Sequence, residues 1–224
     1  MRKELLINEN WLFRYFDGSE TMLDLPHTWN AIDGQDGGND YKRGTCVYAK
    51  AFSAPEYFSD ERVYLEFRGV NASAKVVLNG AVMTTHDGGY STFRCDITEY
   101  LKPENELIVE VDNSKNDRVY PQKADFTFYG GIYRDVKLII VNQNHFDLDH
   151  FGGPGIAVHA KVDGKDASVW VRTWHNAENG TVSIRLKDAD GNVLFEGDKV
   201  KSAVSNYGPV GNSMASEHHV VLEF

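Results

Sequence analysis

The sequence is short of cysteine, of basic residues and of long apolar runs, and each shortage excludes something. Only Cys46 and Cys95 carry thiols among 224 residues, so no disulfide framework organises the chain. Both sit in alternating, strand-like segments where a half-buried free thiol is the commoner state. We read them as free, with a single bridge as the other reading. No run of 18 apolar residues occurs, which leaves no membrane-spanning helix. Residues 1–15 mix charge with aromatics and lack an apolar core and a small-residue cleavage site. A secretory signal is therefore not expected, and the expected location is cytoplasmic. Lys and Arg number 23 against 33 Asp and Glu, a formal charge of −10. Nucleic acid and anionic membrane reward clustered cations and are not expected partners.

Helical periodicity is nearly absent too. In its place are short runs rich in Val, Ile, Tyr and Phe that alternate apolar with polar, separated by Gly, Asn and Asp. Val63, Leu65 and Phe67 share one face of residues 62–68; Leu107, Val109 and Val111 share one face of residues 106–112. Further strands are expected over 46–53, 75–78, 91–96 and 132–141. One helical turn is expected over 96–101, where Asp96 or Thr98 can cap and Pro103 stops it. Residues 17–44 read as one long loop, anchored by Trp29 and Tyr41. The class is all-β.

A polar tripeptide, Asn142-Gln-Asn144, marks a domain boundary. Beyond it, five candidate strands (155–162, 167–175, 181–187, 193–195 and 217–224) alternate with Asp-Gly and Asn-Gly turn signals. About six short strands suggest an immunoglobulin-like sandwich, which normally needs seven. Val220–Phe224 reads as strand interior, so a partial sandwich is expected.

The densest stretch is Asp125-Phe-Thr-Phe-Tyr-Gly-Gly-Ile-Tyr-Arg-Asp-Val136. Its aromatics end in a Gly-Gly turn, which suits a backbone that approaches something closely. Read with Leu25-Pro-His-Thr-Trp-Asn30, Arg43-Gly44 and Tyr48, Phe67-x-Gly69-Val70 and Val77-Leu-Asn-Gly80, it resembles glycoside hydrolase family 2. His86-x-Gly-Gly-Tyr90-Ser-x-Phe93, Asp96-Ile-Thr98 and Val111-Asp-Asn113 extend the resemblance, in the family's order. It implies a jelly-roll sugar-binding domain over 1–142 and part of an immunoglobulin-like domain over 143–224.

The resemblance also implies that the intact protein is a retaining β-glycosidase, most like a β-galactosidase and assembled as a homo-oligomer. Retaining enzymes use two carboxyls about 5–5.5 Å apart. In this family both belong to a (β/α)8 barrel, and no alternating β-α pattern occurs here. Asn8-Glu9 and Asn105-Glu106 copy the acid/base pair only superficially, so no catalytic residue is assigned. By the same resemblance Asp125 accepts hydrogen bonds from sugar hydroxyls, directly or through a sodium ion. A carboxylate suits this because it only accepts and can bridge two hydroxyls. The other reading of Asp125 is a loop cap.

Asn39 is a second candidate sugar contact or a turn residue. Tyr129, with Phe126 and Phe128, offers stacking surface or buried packing. No cofactor is expected in these residues, with Na+ or Mg2+ in the intact enzyme. Arg134 is expected in a structural ion pair, and His86 as a loop histidine. Asp188–Asn192 is expected as a hairpin turn, and Asp33, Asp36, Asn39 and Asp40 as a solvated acidic loop. His218 and His219 are expected on opposite strand faces. The alternative function is a free-standing carbohydrate-binding module using Trp29 or Trp174, or an adhesion or scaffold sandwich.

Overall fold

The computed structural model describes residues 2–35, 41–120, 127–148, 152–176, 181–197, 200–201, 203–204 and 214–222. The fold is all-β. Among the described residues the one helical element is a 3-10 turn over Thr98–Tyr100, and every strand pair is antiparallel. Two compact units divide the chain, Met1–Gln143 and Asn144–Phe224.

The N-terminal unit carries β1 (Lys3–Leu6), β2 (Trp11–Arg14), β3 (Glu20–Leu23), β4 (Thr45–Ser53) and β5 (Glu61–Phe67). It continues with β6 (Ser73–Leu78), β7 (Ala81–Asp87), β8 (Phe93–Asp96), β9 (Glu104–Asp112) and β10 (Val136–Asn142). A four-stranded sheet, β1-β10-β5-β8, and a six-stranded sheet, β3-β2-β4-β9-β6-β7, make a sandwich of the jelly-roll kind.

Alternation explains the core. On β9, Leu107, Val109 and Val111 are fully buried, and they meet Val63, Leu65 and Phe67 of β5 in one cluster with Trp11, Tyr48 and Ile140. Each such side chain removed from water contributes roughly 1.5–3 kcal/mol. The outer face of β5 is not solvated as the pattern suggests. Glu66 is buried because Arg94 of β8 reaches it at 2.6 Å.

Four strands carry too little apolar alternation to be legible: β1, β2, β7, and β3, which lies inside the expected long loop. The strand expected over 132–141 begins only at Val136, because residues 132–135 serve the loops described below. The β6–β7 hairpin turns at Asn79-Gly80, both with positive φ (52° and 86°), the twist that a two-residue turn requires.

The second unit carries β11 (Ile156–Asp163), β12 (Asp166–His175), β13 (Thr181–Val182), β14 (Arg185–Lys187) and β15 (Val193–Glu196). β16 (Val200–Lys201), β17 (Ala203–Val204) and β18 (Met214–Leu222) follow. The main sheet runs β11-β12-β18-β17, beside the two-stranded pairs β13-β16 and β14-β15, an immunoglobulin-like arrangement. The β14–β15 connection is the expected turn: Asp188 Oδ1 accepts the Asn192 amide at 2.7 Å and Oδ2 accepts its side chain at 2.8 Å.

Candidate functional site

Two loops lie side by side at one end of the N-terminal sandwich. The amide of His27 donates to the Ile132 carbonyl at 2.8 Å, and that of Trp29 to the Gly130 carbonyl at 3.2 Å. Asn30 locks the pair from below. It is fully buried; its Nδ2 donates to the Phe128 carbonyl at 3.0 Å and its Oδ1 accepts the Gly130 amide at 2.7 Å. Its Oδ1 also accepts the Thr28 hydroxyl at 2.9 Å, and a buried amide so engaged is rigid, because any rotation would strand polar groups away from water.

The Gly130-Gly131 pair follows from this packing. A Cβ on Gly130 would lie 2.6 Å from Cε2 of Trp29 and 2.7 Å from Nδ2 of Asn113. Gly131 has φ +128°, and a Cβ there would meet the Tyr48 hydroxyl at 2.6 Å and the His27 carbonyl at 2.7 Å. Only glycine fits either position.

A third loop closes the frame. Asn71 exchanges backbone hydrogen bonds with Gly131, at 3.0 and 3.1 Å, and its Nδ2 donates to the Tyr129 carbonyl at 2.9 Å. From the other side the Tyr41 hydroxyl accepts the Phe128 amide at 2.8 Å. The Asp33 carboxylate accepts the Lys42 amide, and the Asp33 carbonyl accepts the Thr127 hydroxyl, both at 2.8 Å. Asn113 joins the same knot, accepting the Gly44 amide at 2.9 Å and donating to the Lys42 carbonyl at 3.2 Å. Four of the motifs quoted from the sequence thus meet in one rim. Behind it, His27 lies 2.8 Å from the Tyr48 hydroxyl, and burial holds its pKa below the ordinary value.

Of the expected site residues, Tyr129 stands on this frame with its backbone tied and its ring 44% exposed. Phe128 is buried and belongs to the packing. Asp125, Asn39, Phe126, Asp36 and Asp40 lie outside the described residues, as do the side chains of His218 and His219. The sodium expectation rests on Asp125. Among the described residues no group of three His, Cys, Asp or Glu is gathered to hold a metal ion.

Several expectations need correction. Asp33 is not a solvated loop acid but a buried anchor. Trp174 is buried, and Trp29 spends its indole on Gly130 and on the Lys42 carbonyl, 3.2 Å from Nε1; neither is an exposed platform. Among the described residues Arg134 makes no ion pair and donates to the carbonyls of Arg68 and Tyr90. His86 is not a loop histidine but lies near the end of β7, opposite Ala74, 3.1 Å from the Gly88 carbonyl, 3.0 Å from the Ser91 hydroxyl and stacked on Phe93. Asn71 escaped the sequence reading; its only signal was a lone polar residue following Phe67-x-Gly69-Val70.

Fold and frame together define a β-sandwich domain with interlocked loops at one end of the N-terminal sandwich. Residues 31–142 match the family "Glycosyl hydrolases family 2, sugar binding domain", and the chain belongs to glycosyl hydrolase family 2. It is 36% identical over 198 residues to a β-glucuronidase of Bacteroides fragilis, covering 85% of this chain and 28% of that one. A β-galactosidase of Thermoanaerobacter pseudethanolicus is 33% identical over 150 residues, covering 65% of this chain and 20% of that one. Among solved structures, an FMN-binding β-glucuronidase from Facaelibacterium prausnitzii L2-6 superposes with a TM-score of 0.83 at 38% identity. The match covers 97% of this chain and 34% of that one. The chain thus spans about a third or less of the length of these relatives. Among the described residues no helix is long and apolar enough to cross a membrane.

Proposed function

We propose that this chain is the non-catalytic N-terminal region of a retaining β-glycosidase. Its loop rim would form one wall of the pocket for the terminal sugar, and the two catalytic carboxyls would lie on a barrel elsewhere in the whole protein. The family match over residues 31–142 carries this reading. The rigid frame under Tyr129 supports it, since a positioned aromatic can face a pyranose ring. In this reading Asp125 accepts hydrogen bonds from two sugar hydroxyls, and Asn39 contributes a further one. The segments that follow them support the pairing, because Tyr41 and Phe128 are hydrogen-bonded to each other.

We read the substrate as a terminal β-glucuronide, since the B. fragilis and F. prausnitzii relatives, the more similar of the three, are named β-glucuronidases. A β-galactoside is the second reading, supported by the T. pseudethanolicus relative.

The test uses chromogenic β-glucuronide and β-galactoside. The 224-residue chain alone is expected to be inactive, and the product of the full natural reading frame to prefer the glucuronide. Asp125→Ala in that product should lower kcat/KM roughly ten- to hundredfold, the worth of a hydrogen bond to a charged group. Turnover by the 224-residue chain alone, or no β-glycosidase activity in the full product, overturns the proposal.

A further inference from the structure

A cleft of about 410 Å3 opens on the N-terminal unit, lined by Pro26, Arg68, Thr92, Tyr133, Arg134 and Asp135. Pro26 and residues 133–135 continue the two loops of the Tyr129 rim, and Arg68 and Thr92 complete the lining; Tyr129 itself takes no part in it. The volume suits one hexose, since small-molecule sites begin near 300 Å3.

The polar groups in it are positioned yet incompletely used. Arg134 is fixed from behind: Nη1 donates to the carbonyls of Arg68 at 3.3 Å and Tyr90 at 3.1 Å, and its guanidinium lies 5.3 Å over the Tyr133 ring. Those bonds use one nitrogen; among the described residues Nε and Nη2 have no partner. Arg68 is half-exposed. Its Nη1 stands 3.7 Å from Oδ2 of Asp135 and its Nε 4.0 Å from Oε1 of Glu66. At those distances there is attraction but no hydrogen bond. Asp135 is oriented by Asn8, whose Nδ2 donates to Oδ1 at 3.0 Å, which leaves Oδ2 toward Arg68. The Thr92 hydroxyl also has no partner among the described residues.

Two guanidiniums against one carboxylate make this lining positive on a chain whose formal charge is −10. Such a local reversal of sign favours an anionic ligand. Arginine forks match a planar carboxylate, whereas a dianionic phosphate would meet stronger repulsion from Asp135. Thr92 and Asp135 add a donor–acceptor set suited to hydroxyls, and Pro26 supplies an apolar wall.

We propose that this cleft is a separate carbohydrate site taking a hexose that carries one carboxylate. The ligand carboxylate lies between Arg68 and Arg134, and Thr92 and Asp135 hold ring hydroxyls. Amide NMR titration of the 224-residue chain with D-glucuronate, D-glucose and inorganic phosphate tests it. Saturable shifts at residues 68, 92 and 134 are expected with glucuronate, far weaker ones with glucose, and loss of affinity at high salt. Arg68→Gln should weaken glucuronate at least tenfold without moving the urea midpoint, while Tyr129→Ala should leave it unchanged. Absence of saturable binding, indifference to Arg68→Gln, or equal binding of phosphate or glucose would overturn the assignment. None of these outcomes bears on the loop rim, so this site and the proposed sugar wall stand or fall separately.

Discussion

Gly130 lies flat against the indole of Trp29, so close that a methyl group on its Cα would sit 2.6 Å from Cε2 of that ring. The contact explains why an aromatic and a glycine separated by a hundred residues of sequence belong to one device. Gly130→Ala must push the indole or the 127–132 loop aside. The expected cost is roughly 1–3 kcal/mol, the usual range for overpacking, read as a lower urea midpoint at unchanged slope. In a Trp29→Ala background the same change should cost less but still something, because the indole clash is gone while Nδ2 of Asn113 stays 2.7 Å from the new Cβ.

Asn30 makes a different demand. Its side chain serves the Phe128 carbonyl and the Gly130 amide with no access to water. Asn30→Ala leaves both unsatisfied, and each buried orphan costs about 1–3 kcal/mol. Asn30→Asp should also fail, since a carboxylate can accept from Gly130 but cannot donate to Phe128. Hydrogen exchange at the Gly130 amide should quicken in Asn30→Ala, where normal protection would refute the role, while Asn30→Asp should lower the urea midpoint through the lost donation to Phe128.

The core was legible because β5 and β9 alternate cleanly, and the Asp188–Asn192 turn because its chemistry is local. The family was legible from the order of short motifs, four of which form the rim. The geometry of that rim was not. Asn30, Asn71 and Asp33 act through partners dozens of residues distant, and no local pattern tells a buried anchoring amide from a turn residue. Glu66 misled for a related reason: a charge in an alternating strand reads as solvent-facing until its partner on β8 is known.

Burial holds His27 and His86 below the ordinary histidine value. Each therefore takes up a proton more readily when unfolded. Their stabilisation is complete above the unfolded value of about 6.5 and is lost as pH falls from there through the folded value. The Asp87 carboxyl, held low first by the Ser73 hydroxyl and then by Arg118, contributes above about 3.9 and loses that as pH falls through its folded value. Urea midpoints should be flat above neutrality, decline below about pH 6.5 and drop again below about pH 4. His86→Gln should shrink the first decline and only slightly soften the second, since charged His86 also helps to hold Asp87 low; an unchanged first decline would show that His86 does not contribute to it.

Burial pushes the Cys46 thiol up to about 11. At pH 8 only about one such thiol in a thousand is ionised, and the thiolate is the reactive form. Cys95 is buried as well. The native chain should react with a thiol-specific disulfide reagent far more slowly than the urea-unfolded chain, which should release two equivalents. Fast labelling of the native protein would contradict the packing around β4.

The pair formed by Glu66 and Arg94 allows a double test. Their side chains are 5% and 7% exposed and meet at 2.6 Å. Removing one partner takes the nearest opposite charge from a buried one, and breaking a buried pair typically costs about 3–5 kcal/mol. Arg94→Met and Glu66→Leu should each destabilise strongly in urea. The double variant should recover most of the loss, because neither desolvated charge remains and the side-chain volumes are roughly kept. Recovery would show that the pair is needed as a pair and adds little net stability to the sheet. If the double variant is as unstable as the singles added together, the two charges act independently, through neighbours other than each other.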